Sequence, residues 1–507
     1  MNFSKPFQHL VSLVLLTLLV SIVDPLPPIQ AREKRPKNII LIIGDGMGPQ
    51  QVGMYNYYTY MLKHRPSSFE KIANKGHLGM SDTHAYFQLV TDSAAAGTTL
   101  ATGFKTRCEV LGIGPHGEDL ETVLEYAQTI GKSTGIVTNT AITHATPGAF
   151  YAAVESRHMG GVIVNQLLEN GKIDVILGGG MKYFIPKKTH CNDFASLHPL
   201  VSGKSRRRDN INLLEKFQSL GYDLLFRNSE IINYRVNRKK KILGLFAHGH
   251  LPYEVDRMHM ENLDTPSVLE MTKLAIARLS KNPKGFFLMV ESGRIDHLCH
   301  GNDSGGLLRE MEITAKTAEY ALQFAQKRKD TLVIVTADHE TGSPGFSYLK
   351  RKEGKLRLKL ESGKTYVTEY NYISPQIYHL LLSQKRTYAS IVWEAKKDPQ
   401  KLIELFASYT PFRINLKEAN IVLTKYRRDF KAFYSYPASR ATSVLSSIIS
   451  DQTAITWATG THTNTPVLCV SYGPYSRHLK GFFQNTHIAR VIFKAFGNKG
   501  KVFPLGL

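Results

Sequence analysis

Five short runs, at residues 38–43, 134–138, 174–177, 286–290 and 331–336, are almost wholly apolar or β-branched. A strand with one wet face alternates polar and apolar residues. Hydrophobicity without alternation therefore predicts strands buried on both faces, as in a parallel sheet. Helical spacing fills the gaps. Leu120, Val123, Leu124, Ala127 and Ile130 recur at that period and predict a helix over 118–130, stopped by Gly131. Thr265 followed by Pro266 predicts the cap and first turn of another helix, and 307–328 reads as a third. Strands alternating with helices predict an α/β fold: a large, mostly parallel central sheet flanked by helices on both faces. The rhythm breaks over about 343–455, a basic helical or irregular insertion before a last core strand at 467–471 and a closing helix near His487.

With 507 residues, 42% of them hydrophobic, the chain is excluded from the disordered class. Lys5 and His9 precede an apolar run at 10–23, followed by Asp24 and a Pro-rich stretch to Ala31. That run is shorter than the roughly 20 residues of a bilayer span. It fits a signal peptide at 1–31, with 32–507 as one exported catalytic domain in the periplasm or outside the cell; an uncleaved anchor is the alternative. Cys108, Cys191, Cys299 and Cys469 allow two disulfides in three connectivities, and none belongs to a CxxC motif. The net charge of +22 favours anionic partners. Its basic runs, 204–208, 235–241, 350–359 and 425–431, read as solvated faces or as patches that adhere to anionic surface polymers. Few aromatics interleave with them, so no specific nucleic-acid binding is expected.

Three of the buried runs end in acids. Ile43 leads to Asp45; Val290 leads to Glu291, Asp296, His297 and His300; Thr336 leads to Asp338 and His339. Ligands of an open parallel sheet gather beyond the carboxyl ends of its strands, so these acids are expected to converge. Carboxylates so concentrated repel one another without a cation, and Asp with His suits zinc and its neighbours. Asp296 and His300, four apart, share a face on a helical turn.

A second signal is Val90-Thr91-Asp92-Ser93 followed by small residues. Asp92 and Ser93 there are a helix cap, or Ser93 is a nucleophile held where first-turn N–H groups favour an anion.

Taken together, these segments resemble the alkaline phosphatases. The resemblance covers nearly the whole mature chain and rests on the Ser93 segment, IIGDGMG around Asp45, VESGRIDH, TADHETG and ATGTHTNTPV around His462, in family order. It implies hydrolysis of phosphate monoesters at alkaline pH through a phosphoserine at Ser93, with two zinc ions and one magnesium ion. Asp296, His300 and His462 would hold one zinc; Asp45, Asp338, His339 and Ser93 the second; Asp45, Thr146 and Glu291 the magnesium. Arg157 resembles the arginine that clamps phosphate, with Asp92 orienting it. His144 and His297 stand at positions that vary in the family and are read as supporting groups beside the ligands. Cys299 is read as a small buried thiol. The insertion is expected to form a crown over the site or a dimer contact, hence a homodimer.

Two other readings compete: a nucleotide phosphodiesterase of the same superfamily, and a basic anion-binding surface protein on a phosphatase scaffold. Arg157, Thr146 and Glu291 speak against the first, because they suit a terminal phosphate and a third cation. The complete ligand set speaks against the second.

Overall fold

Ten strands form one sheet in the computed structural model, which describes residues 33–190, 203–260, 263–351, 353–424 and 440–498. They are β1 (Asn38–Gly44), β2 (His77–Ser81), β3 (Ser133–Ala141), β4 (Val175–Gly179), β5 (Tyr222–Leu225), β6 (Lys241–Leu245), β7 (Phe286–Ser292), β8 (Thr331–Thr336), β9 (Val467–Tyr472) and β10 (Gly481–Phe483). Their order is β10-β2-β9-β8-β1-β7-β3-β4-β6-β5. From β8 to β5 every neighbouring pair is parallel. β9 runs antiparallel to both β8 and β2. The signal-peptide segment, Cys191 and the basic run at 425–431 lie outside the described residues.

The predicted burial on both faces follows from packing. Every residue of β1 is buried, and its side chains divide between two layers. Ile40 and Ile42 pack with α4 (Val268–Leu279) and α6 (Ser304–Arg328) through Met271, Ala275, Leu308 and Met311. Ile39, Leu41 and Ile43 join α3 (Val123–Thr129) and α7 (Thr486–Phe496) through Leu124, Ala127, Ile488 and Ile492. Three further helices serve the site: α1 (Pro49–Lys63), α2 (Ser93–Thr102) and α5 (Arg294–His300). Among the described residues no helix is long and apolar enough to cross a membrane.

Two helix starts differ from the sequence expectation. α3 begins at Val123 rather than 118, because Thr122 and Glu125 form a capping box while Asp119 bridges to Ile113. α4 begins after Ser267, not Thr265: Ser267 Oγ accepts from Glu270 N while Glu270 accepts from Ser267 N, a pairing Thr265 does not make. The two-disulfide reading also gives way, since Cys108, Cys299 and Cys469 are free thiols. Nor is the 204–208 run wholly a solvated face: Arg207 is buried, its guanidinium forked onto both oxygens of Asp209 at 2.7 Å.

The insertion is helical, with short two-stranded ribbons, and is tied to the core by Asp303. This buried residue caps α6 by accepting from Gly306 N at 3.0 Å, and takes Gln384 Nε2 at 2.8 Å and Tyr388 N at 2.7 Å. Removing the carboxylate orphans three donors at once. Asp303→Ala is expected to cost about 2–4 kcal/mol of stability, measured by denaturant unfolding.

Candidate active site

The central strands β7, β1 and β8 deliver their acids side by side. In register, Ile43 of β1 lies between Glu291 of β7 and Thr336 of β8, so Asp45, Glu291 and Asp338 emerge at one edge. Gly46 then turns the chain in the left-handed region, at φ 72°, where a Cβ would stand 2.9 Å from Asp296 Cα. No other residue fits both constraints.

Around this edge the sequence-predicted residues come together. Asp296 and His300 share the inner face of α5, with His300 Nε2 3.3 Å from Asp296 Oδ2. His462 Nε2 stands 3.5 Å from Asp296 Oδ1 and 3.2 Å from His300 Nε2. Both imidazoles donate from Nδ1 to backbone carbonyls, His300 to Gly460 at 2.7 Å and His462 to Thr91 at 2.9 Å. That leaves each Nε2 lone pair facing the Asp296 carboxylate, the tautomer a metal requires.

Beside this group, His339 Nε2 lies 3.3 Å from Asp338 Oδ2, 3.5 Å from Asp45 Oδ1 and 3.3 Å from Ser93 Oγ. Three sets of ligand atoms lie within 4.8 Å of one another: Asp296, His339 and His462; Asp45, Asp338 and His339; Asp45, His144 and Glu291.

Ser93 opens α2, and the cap reading of its segment holds through Asp92. Asp92 is the N-cap, accepting from Ala95 N at 3.0 Å through Oδ1. Its other oxygen takes Arg157 Nη1 at 2.8 Å. Burial works against charge on Asp92, but Arg157 and the backbone donors prevail and hold its carboxyl below the usual range. Arg157 Nη2 meets His144 Nε2 at 3.3 Å, so the guanidinium is braced on two sides.

The electrostatics call for cations. Burial, then the charge of Asp338, pushes Asp45 well above the ordinary carboxylate range. Burial, then Asp296, raises Asp338 to about 7. Asp296 goes the opposite way, because His300 and His462 outweigh its burial. Both oxygens of Asp45, Oδ2 of Asp338, Oε1 of Glu291 and Oγ1 of Thr146 are buried without a hydrogen-bond partner. Orphaned buried oxygens cost about 1–3 kcal/mol each. Hard cations are the natural partners for such a set.

The sequence reasoning missed several supporting residues. Thr341 Oγ1 donates to Asp296 Oδ1 at 2.7 Å and stands 3.3 Å from His339 Nδ1, fixing both ligand groups. Gln51 of α1 donates to Glu340 Oε1 and the Thr341 carbonyl, at 2.9 and 2.7 Å, and to Cys299 Sγ at 3.5 Å. Thr138 and Thr140 donate to Glu291 Oε2. The ring of His250 packs on His144 and His297, at 5.2 and 4.8 Å between centroids. Thr341 lay within the TADHETG run; nothing in the local sequence marks Gln51 or His250.

A mostly parallel α/β sheet with acids, imidazoles and a helix-capped serine at its strand ends defines a metal-binding hydrolase. The family model described as alkaline phosphatase matches residues 36–497. Alkaline phosphatase 4 of Bacillus subtilis is 32% identical over 471 residues, 90% of this chain and 88% of that protein. Alkaline phosphatase 3 of the same organism is 32% identical over 491 residues, 92% of each chain. Among solved structures, the Thermus thermophilus alkaline phosphatase superposes with a TM-score of 0.79 at 28% identity, covering 92% of both chains. The chain belongs to the alkaline phosphatase family, and it is an enzyme that hydrolyses phosphate monoesters.

Proposed function

We propose that hydrolysis runs at alkaline pH through a covalent phosphoserine at Ser93, supported by two zinc ions and one magnesium ion. The observation that carries this is the buried Ser93 hydroxyl, set among His339 and the unpartnered carboxylates and flanked by the braced guanidinium of Arg157.

The donor sets fit the cations. Asp296, His300 and His462 suit a zinc, as do Asp45, Asp338 and His339 with Ser93 Oγ. Asp45, Glu291 and Thr146 are oxygen donors, suited to magnesium. His144 is kept outside this third set because its Nε2 accepts from Arg157, which leaves the proton on Nδ1. His297 is likewise held off, its Nδ1 taken by Arg294 Nη1 at 2.8 Å. When bound, the ions supply charge neutralisation and lower the pKa of hydroxyls beside them.

The chain's own groups do the rest. Arg157 takes two phosphate oxygens with its planar fork, and Asp92 keeps that fork aligned. Ser93 Oγ, having lost its proton, attacks phosphorus in line with the ester oxygen; the Oγ–P bond forms as the ester P–O bond breaks. The ester oxygen takes a proton from water and leaves as an alcohol. Water then attacks the phosphoserine, the Oγ–P bond breaks, and inorganic phosphate departs while Ser93 regains a proton. A need for deprotonation places the optimum on the alkaline side.

Arg157 also separates this reading from the phosphodiesterase: with two oxygens on its fork, a monoester keeps a third unesterified oxygen for the buried cation sites, whereas a diester has only two in all. On an aryl phosphate monoester the wild type is expected to exceed its diester rate by orders of magnitude. Arg157→Lys keeps the charge but loses the fork, and kcat/KM for the monoester should fall about 10- to 100-fold. A diester rate above the monoester rate would sink the reading.

We further propose a homodimer outside the cytoplasm. Exposed Tyr57 and Met61 of α1 border an apolar groove of about 390 Å³ against Tyr372 and Ile373 of the insertion, a face suited to a second copy.

A further inference from the structure

The turn at residues 85–88 lies a few residues ahead of Asp92 and Ser93 in the chain and takes no part in the phosphate chemistry above. Ala85 and Gln88 exchange backbone hydrogen bonds at 3.0 and 3.3 Å, which makes Phe87 the third residue of a tight turn, with φ at 53°. That position ordinarily falls to glycine, because a side chain there crowds its own backbone. Here it carries a phenylalanine that is 80% exposed, followed by Leu89 at 79% and Val90 at 44%. Strain of this kind persists where the surroundings over-determine it, and it clusters at functional sites.

The surroundings do over-determine it. The Tyr86 ring packs edge-on against Phe87 at 4.7 Å and lies under the Arg107 guanidinium at 5.6 Å. Tyr86 N donates to Thr106 O at 2.9 Å, and Cys108 N to Gln88 Oε1 at 2.8 Å. A rigid segment thus turns its apolar side chains outward.

The same two segments hold the phosphate-binding groups. Cys108 Sγ donates to the Val90 carbonyl at 3.6 Å, and the next residue, Glu109, donates its N–H to Asp92 Oδ1 at 3.0 Å. The Glu109 carbonyl accepts from Arg157 N at 2.7 Å. Rim and phosphate clamp therefore share one frame. Ser93 is only 2% exposed, so the group opposite its hydroxyl across phosphorus points outward.

We propose that Phe87, Leu89 and Val90 form a subsite for the ester group of the substrate, selecting phosphate monoesters whose leaving group is an aryl or long alkyl chain. The proposal rests on the phosphoserine reading of Ser93. Continuity with Asp92 and Arg157 assigns the rim to the substrate rather than to a second copy of the chain.

The test uses the full chain loaded with zinc and magnesium and two probes of similar alkoxide basicity, octyl phosphate and glycerol 1-phosphate. In a Phe87→Ser, Leu89→Ser double variant the ratio of their kcat/KM values, octyl over glycerol, is expected to fall about tenfold. Phe87→Gly should lower the ratio too, while its Tm holds or rises, because glycine relieves the turn. An unchanged ratio overturns the proposal, including the case in which both esters slow together. A lower assembly mass for the double variant by light scattering also overturns it, assigning the rim to a second copy. Failure of the wild type on both esters would remove the underlying reading instead, a result distinct from a constant ratio.

Discussion

Ser93→Ala is expected to lower kcat for an aryl phosphate monoester by at least about 10³-fold. The loss should be chemical rather than structural. Asp92, not Ser93, caps α2, and its bonds to Ala95 and Arg157 remain in the variant. The only hydrogen bond the Ser93 hydroxyl makes among the described residues is with His339, at 3.3 Å. Its Tm should accordingly stay within a few degrees of the wild type. A companion measurement identifies the intermediate. Acid quenching of wild type incubated with labelled phosphate should leave label on Ser93, and the alanine variant should retain none. Undiminished turnover by the variant, or label on another residue, would exclude the covalent route.

Stripping the cations with chelator is expected to abolish turnover and to lower Tm by more than about 10 °C at pH 8. The pH dependence carries the sharper signature. Asp338 titrates near 7 in the stripped fold against 3.8 in the unfolded chain, chiefly through burial and the charge of Asp296. A raised acid pKa gives stability that is present at low pH and lost as pH climbs through the folded value. Asp45, raised by burial and Asp338, acts in the same sense. His462 does too: its bond and charge pairing with Asp296 outweigh burial and raise it. Burial depresses His339, His297 and His250, which oppose this trend below and around their ordinary value of 6.5 and fade above about pH 7. The clearest window is therefore about pH 7 to 8, where the Tm of stripped protein should fall with pH while that of loaded protein stays level. Parallel Tm curves would show that these carboxylates do not hold the ions.

Much of this was readable from the chain because two requirements coincide in it. A strand buried on both faces must be apolar throughout, and a site at its end must begin where that run stops. β1, β7 and β8 therefore announce both themselves and Asp45, Glu291 and Asp338. Strands at or next to the sheet edges carry no such mark: β2, β5 and β10 are only partly buried, and their pairing is decided by neighbours distant in sequence. The antiparallel direction of β9 was hidden for a related reason, since an apolar run reads alike in either direction. Helix starts at Val123 and Val268 turned on side-chain capping bonds that compete with nearby propensity signals. Gln51 and His250 act through packing with residues far along the chain, and no local pattern records that. The start of α2 at Ser93 was legible because Asp92, a strong capping residue, stands just ahead of a run of small residues.

The strand order has a consequence for biogenesis. β1, near the N-terminus, is flanked by β7 and β8, so Ile39 pairs with Phe287 and Leu332. Neither partner exists until more than half of the polypeptide has been synthesised. Loop closure over such distances is slow, and the centre of the sheet is a late folding event. A nascent chain short of β8 leaves β1 unpaired on that side and lacks Asp338, His339 and His462 altogether. Such a fragment has no complete ion cage, so a prematurely terminated chain is inert rather than partly active.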